Sequence, residues 1–216
     1  RPVVEDKNEG NETIYVEVAF CLQRDKSGSA CISRVSESPL VVFFPTEKET
    51  HLGFLLQGPY ITTPARDNVP ERHPYNVRLV DETALLVRDS LFELKNMGML
   101  SAQALEAMPL EAADFSVGSM FHPIFQTVRH ALLNEELLPA FGRGYVTGKS
   151  AKLARGSEMA ALFNPKRLQL LLGLERTPRW LSTDISENKT PELYTYLVGR
   201  RGRGRWSGEE IEPLVE

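Results

Sequence analysis

Arg66 is the residue whose setting first asks for a chemical explanation. It lies in the stretch PYITTPARDNVP, between the pair Thr62 and Thr63 and the pair Asp67 and Asn68. A guanidinium is always charged, planar and armed with forked donors, so it suits a phosphate or carboxylate better than any other side chain. Pro59 and Pro64 stiffen the segment, the threonines offer hydroxyls, and Asp67 and Asn68 favour turns. Together these residues describe an arginine preset for an anion. The plainer reading is a solvated charge in a loop, or a neighbour of a helix dipole.

The other candidates are weaker. GRGYVTGKS, Gly142 to Ser150, ends in Gly148-Lys149-Ser150, the closing half of a phosphate-binding loop. That pattern needs a glycine five places before Gly148, where Arg143 stands, so the expected structure is a turn followed by a helix cap at Ser150. Of the histidines His51, His73, His122 and His130, none forms a close pair with another His, Cys or carboxylate at the spacing of a zinc site. His122 and His130 do lie two turns apart on one expected helix. No metal is expected. Neither Gly-x-Ser-x-Gly nor a catalytic-cysteine signature is present. Trp180 and Trp206 read as packing or rim aromatics, since basic and aromatic residues do not interleave around them.

Composition narrows the classes further. The 216 residues are 42% hydrophobic and 25% charged, enough for one large domain or two small ones. A net charge of -4 gives no overall field for nucleic acid or anionic lipid. The basic cluster GRRGRGRW, Gly199 to Trp206, is followed by Glu209, Glu210 and Glu212 and reads as a solvated tail, so no nucleic-acid partner is expected. Cys21 and Cys31 could face each other across a hairpin, and are read as reduced and buried. NET at Asn11 and NKT at Asn188 match the glycosylation pattern, which matters only in a secreted chain. With no signal peptide and no apolar run near 18 residues, a cytoplasmic location without a membrane partner is expected. The chain opens on Arg1 rather than Met and stops after EPLVE, and so reads as a piece of something longer.

Elements that must position these residues are legible in the periodicity. TIYVEVAFCLQ, Thr13 to Gln23, alternates strictly. RDKSGS supplies a turn and ACISRV a returning strand, so Thr13 to Val35 reads as a hairpin. LVVFF has the continuous apolar character of a central strand covered on both sides, and LGFLLQGPY makes a fourth strand. After Pro70 the period turns helical, with Val77, Val80, Ala84, Val87, Leu91 and Leu94 on one stripe and Asn96 and Gly98 at the stop, about five turns in all. Burial is expected for Ile14, Val16, Val18, Phe20, Val42 and Phe44 in one sheet packed by this helix. Further on come a short helix broken at Pro109, a helix over Phe121 to Asn134, one starting from Ser150, and two capped by Asn164-Pro165 and Thr190-Pro191. The expected fold class is α+β: a mixed or antiparallel sheet of about four strands packed by a long helix, then a mainly helical region. The expected division is residues 1–100 and 101–216.

LVVFFPTEKETHLGFLLQGPYITTPARDNVP followed by NVRLVDETALLVRDSLFEL resembles the middle segment of the Hsp90-like ATPases, especially their sacsin-like and bacterial branches. LLPAFGRGYVTGKSAKLAR and WLSTDISENKTPELYTYL are similar to segments that follow this module in large sacsin-like proteins. The resemblance implies a ribosomal-S5-like transducer fold in a chaperone-type protein. It also implies an N-terminal GHKL domain in cis that binds ATP and Mg, and a loop arginine, here Arg66, that reaches the γ-phosphate. The Asn, Asp and glycine-rich lid of the GHKL nucleotide pocket have no counterpart here, so this chain alone is expected to hold no ATP, and no residue is assigned to cofactor binding. The glutamine that accompanies the arginine in Hsp90 proteins is also missing just after Arg66. The alternative is a non-catalytic interaction or scaffold module that holds a protein partner or client through its helical half.

Overall fold

The computed structural model describes residues 2–3, 14–24, 28–65, 67–154, 157–174 and 177–199. In the first part, strands β1 (Pro2–Val3), β2 (Ile14–Tyr15), β3 (Glu17–Ala19), β4 (Cys21–Arg24), β5 (Ala30–Ser33), β6 (Pro39–Val42), β7 (Phe44–Glu49) and β8 (Leu55–Gln57) lead into helix α1 (Pro74–Asn96). Helices α2 (Ala102–Leu105) and α3 (His122–Asn134) follow, then the short strands β9 (Leu138–Pro139), β10 (Tyr145–Val146) and β11 (Ala151–Lys152). Helices α4 (Ser157–Leu162) and α5 (Pro165–Leu172), strand β12 (Arg179–Trp180) and helix α6 (Pro191–Val198) complete the order.

Four strands form a mixed sheet in the order β3-β8-β6-β7. β8 runs antiparallel to β3 and parallel to β6, while β6 and β7 are antiparallel. The expected α+β class, with a four-stranded sheet and a long helix, is what the chain adopts. α1 is 23 residues long, a turn longer than its stripe implied. It begins where His73 accepts a hydrogen bond from the Tyr75 amide and Pro74 fixes φ, and it ends before Gly98 at φ 71°. Val80, Ala84, Val87, Leu91 and Leu94 are buried at spacings of three and four, with Leu79 buried beside them. They join Leu105, Ile124, Phe125, Val128 and Leu132 from the helical part in one continuous core.

Several expectations need correcting. β6 is an interior strand of the sheet, as LVVFF suggested, but it is not covered on both sides: Leu40 and Val42 are buried while Pro39 and Val41 are half-buried, and the strand stops at Val42, where Phe43 turns the chain at φ 59° so that Val42 pairs with Phe44. Both phenylalanines are outside the core, Phe43 at 79% and Phe44 at 67% exposure. FPTEKE, from Phe44 onward, is the edge strand β7. It tolerates Pro45 because an edge strand leaves one row of amides unpaired. Val16 and Val42 are buried as expected, whereas Ile14, Val18 and Phe20 are half-buried against the core. Val77 is exposed rather than on the buried stripe. The 13–35 hairpin forms as β4 and β5, outside the four-stranded sheet, but its register sets Cys21 opposite Ser33 and Cys31 opposite Gln23. The cysteines are thus diagonal, free and half-buried.

Ser150 caps no helix: it closes a 3-10 turn, Gly148–Ser150, and β11 follows directly. α5 has the expected ends, with Asn164 Oδ1 accepting from the Arg167 amide at 2.9 Å and Gly173 left-handed at φ 62°. Thr190 precedes α6 but its hydroxyl donates to the Asp184 carbonyl at 2.9 Å instead of capping the helix. The Glu192 amide in the first turn of α6 donates to Glu106 Oε1 at 3.2 Å, so the cap comes from a distant part of the chain. Burial, partly offset by the backbone amides of Leu193 and Glu192, raises the Glu106 carboxyl above its ordinary value.

Candidate functional site

The connection from β8 to α1 is a closed loop stapled at its base by one side chain. Asn76, in the first turn of α1, is fully buried. Its Oδ1 accepts from the Ile61 amide at 2.8 Å, and its Nδ2 faces the carbonyls of Ile61 and Pro70, each at 3.0 Å. Both legs of the loop are therefore held by the helix that follows them. Farther out, the Thr63 amide donates to the Asn68 carbonyl at 2.9 Å and the Asn68 amide donates to Thr63 Oγ1 at 3.2 Å. The Thr63 hydroxyl donates to the Asp67 carboxylate, closing a second ring of bonds.

The loop stands on a packed floor. Tyr60 is buried, its hydroxyl 3.1 Å from Thr83 Oγ1, which itself donates to the Leu79 carbonyl at 2.7 Å. Burial pushes the Tyr60 phenol well above its ordinary value, only partly countered by Thr83. Gly58 makes room for that ring: a Cβ there would meet Tyr60 Cε2 at 2.9 Å and Val16 Cγ1 at 3.2 Å. Val69 is fully buried on the returning leg, and Lys48 of β7 pairs with Glu71 just beyond it. Pro64, Ala65, Asp67 and Asn68 are exposed at the tip. Arg66 lies outside the described residues; its neighbours in sequence on either side are in solvent at the outer end of a braced loop. Such bracing lowers the entropy that the loop itself has to lose when its tip engages a ligand.

The remaining candidates take structural positions. Gly148 is buried against α3, where a Cβ would lie 3.2 Å from the Leu132 carbonyl oxygen and the Leu133 Cα, so packing rather than phosphate explains this glycine. A strand after Ser150 also leaves no helix N-terminus to face an anion. His73 caps α1, His122 Nδ1 lies 2.7 Å from the Phe115 carbonyl, and His51 sits at φ 59° with its amide on Glu49 Oε1 at 3.3 Å. His130 is exposed. Among the described residues no three His, Cys, Asp or Glu side chains are grouped to hold a metal ion, and no helix is long and apolar enough to cross a membrane. Trp180 donates its indole N–H to the Phe163 carbonyl at 2.8 Å. Trp206 and the arginines of the basic cluster lie outside the described residues.

Sequence reasoning missed Asn76. The available signal was an Asn two places after a helix-starting proline, a residue that disfavours helix interiors unless its side chain finds local backbone partners. Comparison of the chain with protein-family models, with curated proteins and with solved structures finds no match.

Proposed function

We propose that this chain is the transducer segment of an Hsp90-like or sacsin-like ATPase, and that Arg66 meets the charge that develops on the γ-phosphate of ATP. The nucleotide and its Mg are held by a GHKL domain in cis, and the loop couples their state to the position of the sheet and α1. The sequence resemblance over Pro39 to Leu94 motivates this reading. The observation that carries it furthest is the Asn76 staple. A loop that only connects β8 to α1 has no need of a buried amide holding both legs and a second ring of bonds below an exposed tip. An arginine used in a transition state does need such a base, because donors fixed beforehand do not have to reorganise as charge develops.

In the full-length protein, Arg66→Ala is expected to lower ATP turnover by about a hundredfold, roughly 3 kcal/mol of transition-state stabilisation, with a much smaller change in ATP affinity. Arg66→Lys is expected to be nearly as damaging, since a point charge on a flexible stem cannot reproduce the fork. Unchanged turnover in Arg66→Ala would remove the reading. The interaction-module reading has one feature in its favour, the leucines of α5 that face solvent; turnover that survives Arg66→Ala would leave it as the better account.

A further inference from the structure

Residues 151–180 differ from the rest of the molecule in charge and in packing. They hold six Lys and Arg against two Glu in a chain whose net charge is -4. Of the residues of α5 only Leu168 is buried, and neither Leu168 nor Ala160 of α4 belongs to the continuous core. Leu170, Leu171 and Leu172 are 83%, 64% and 48% exposed, and Leu162 is 64% exposed. Side by side, large apolar groups in water mark an interface more often than a neutral surface. Between α5 and β11–β12 lies a cavity of about 310 Å³ with Phe163, Leu168, Leu171 and Trp180 in its lining. Because the Trp180 indole N–H is already bonded to Phe163, the ring offers an apolar surface rather than a donor. Lys152 stands on the lining, and Lys166 and Arg167 are exposed in the first turn of α5.

We propose that this groove docks an acidic peptide segment that carries bulky apolar side chains. The cavity is at the small end of the range for ligand pockets, room for one or two large side chains. Apolar anchors entering a groove beside a helix are a recurrent mode of peptide recognition. Cations beside that groove complement carboxylates on the peptide, which steers its approach and fixes its direction. A bilayer would meet Leu170, which is exposed and outside the cavity lining, but not the buried Leu168 within it. Nucleic acid would gain nothing from the leucines. The inference is independent of the role given to Arg66.

The test is a fluorescence-anisotropy titration of the chain into a fluorescein-labelled peptide of glutamates interrupted by leucines three and four residues apart. Saturable binding is expected, weakened by high salt and absent for the same peptide with alanine in place of leucine. Leu171→Glu should weaken it by about tenfold or more, as loss of a central anchor does. Lys152→Glu, which leaves the apolar floor in place, should weaken it too and favour a version of the probe with lysine for glutamate. Absence of saturable binding would overturn the proposal, as would binding unchanged by both variants. Binding to phosphatidylserine vesicles in place of the peptide, or self-association of the chain abolished by Leu171→Glu, would assign the groove to a membrane or to a second copy and equally overturn it.

Discussion

α1 and α5 are both amphipathic in sequence, yet they stand in opposite relations to the protein. Twenty-three residues long, α1 buries a stripe from Asn76 to Leu94 and uses its first turn to hold the preceding loop. α5 has the better-formed caps, Asn164 and Gly173, and buries Leu168 alone. Capping and periodicity therefore say that a helix forms, and not what covers it. Where the core is continuous, a helix becomes a rigid base on which a loop can be preset; where it is not, the apolar face is left for something else.

The largest expected effect separates the two helices directly. Leu91→Ala should cost about 2–4 kcal/mol, because Leu91 is fully buried and the site cannot collapse around the gap. Leu170→Ala should change stability by less than about 0.5 kcal/mol, as exposed positions do. Urea denaturation of both variants measures the contrast, and equal losses would mean that α5 is covered as thoroughly as α1. Next in size is Asn76→Ala, expected to cost about 1–3 kcal/mol by leaving the Ile61 amide and two carbonyls without their partner. Limited proteolysis should then cut between Pro64 and Asn68 sooner than in the unaltered chain. A variant cut no faster would show that the staple does not brace the loop.

A smaller effect concerns the far end of the β6–β7 hairpin, where Glu49 accepts from the Ser38 amide at 2.9 Å and from the Ser38 hydroxyl at 2.7 Å. Burial alone would raise the Glu49 carboxyl; the bonds from Ser38, helped by the His51 amide, outweigh it and hold the value below the ordinary 4.5. A folded-state value that is depressed favours the ionised form. Its contribution is present above pH 4.5 and is lost as pH falls through the lower folded value. The stability difference between the unaltered chain and Glu49→Gln should therefore shrink on acidification. A difference that stays constant from neutral pH to about pH 3 would contradict this account of Glu49.

Much of this architecture is legible without coordinates because it repeats. The stripes of α1 and α3 and the paired caps of α5 each rest on several residues that agree. What was illegible rests on single residues or on partners far along the chain. β7 carries no alternation because Thr46 is its one buried position, held by a bond from its hydroxyl to the Leu40 carbonyl. Phe43 takes a left-handed turn that aromatic residues seldom adopt, so LVVFF looks like an unbroken strand. α6 receives its cap from Glu106, a partner no local pattern identifies. The turn residues and hydroxyls of the loop around Arg66 are legible in the sequence, and Thr63 does bond Asp67, while the amide that braces the loop, Asn76, belongs to the next element and carries no turn signal of its own.

The central claim is that the stapled loop serves Arg66, and a double-mutant cycle on ATP turnover of the full-length protein tests it most directly. Asn76→Ala alone should lower turnover by about tenfold, with ATP affinity nearly unchanged, because the loop loses its base while the nucleotide contacts lie elsewhere. Placed in the Arg66→Ala background, the same substitution should lower turnover no further, since a staple has nothing left to position. Independent losses that multiply in the double variant would contradict the account and return Asn76 to a purely structural role.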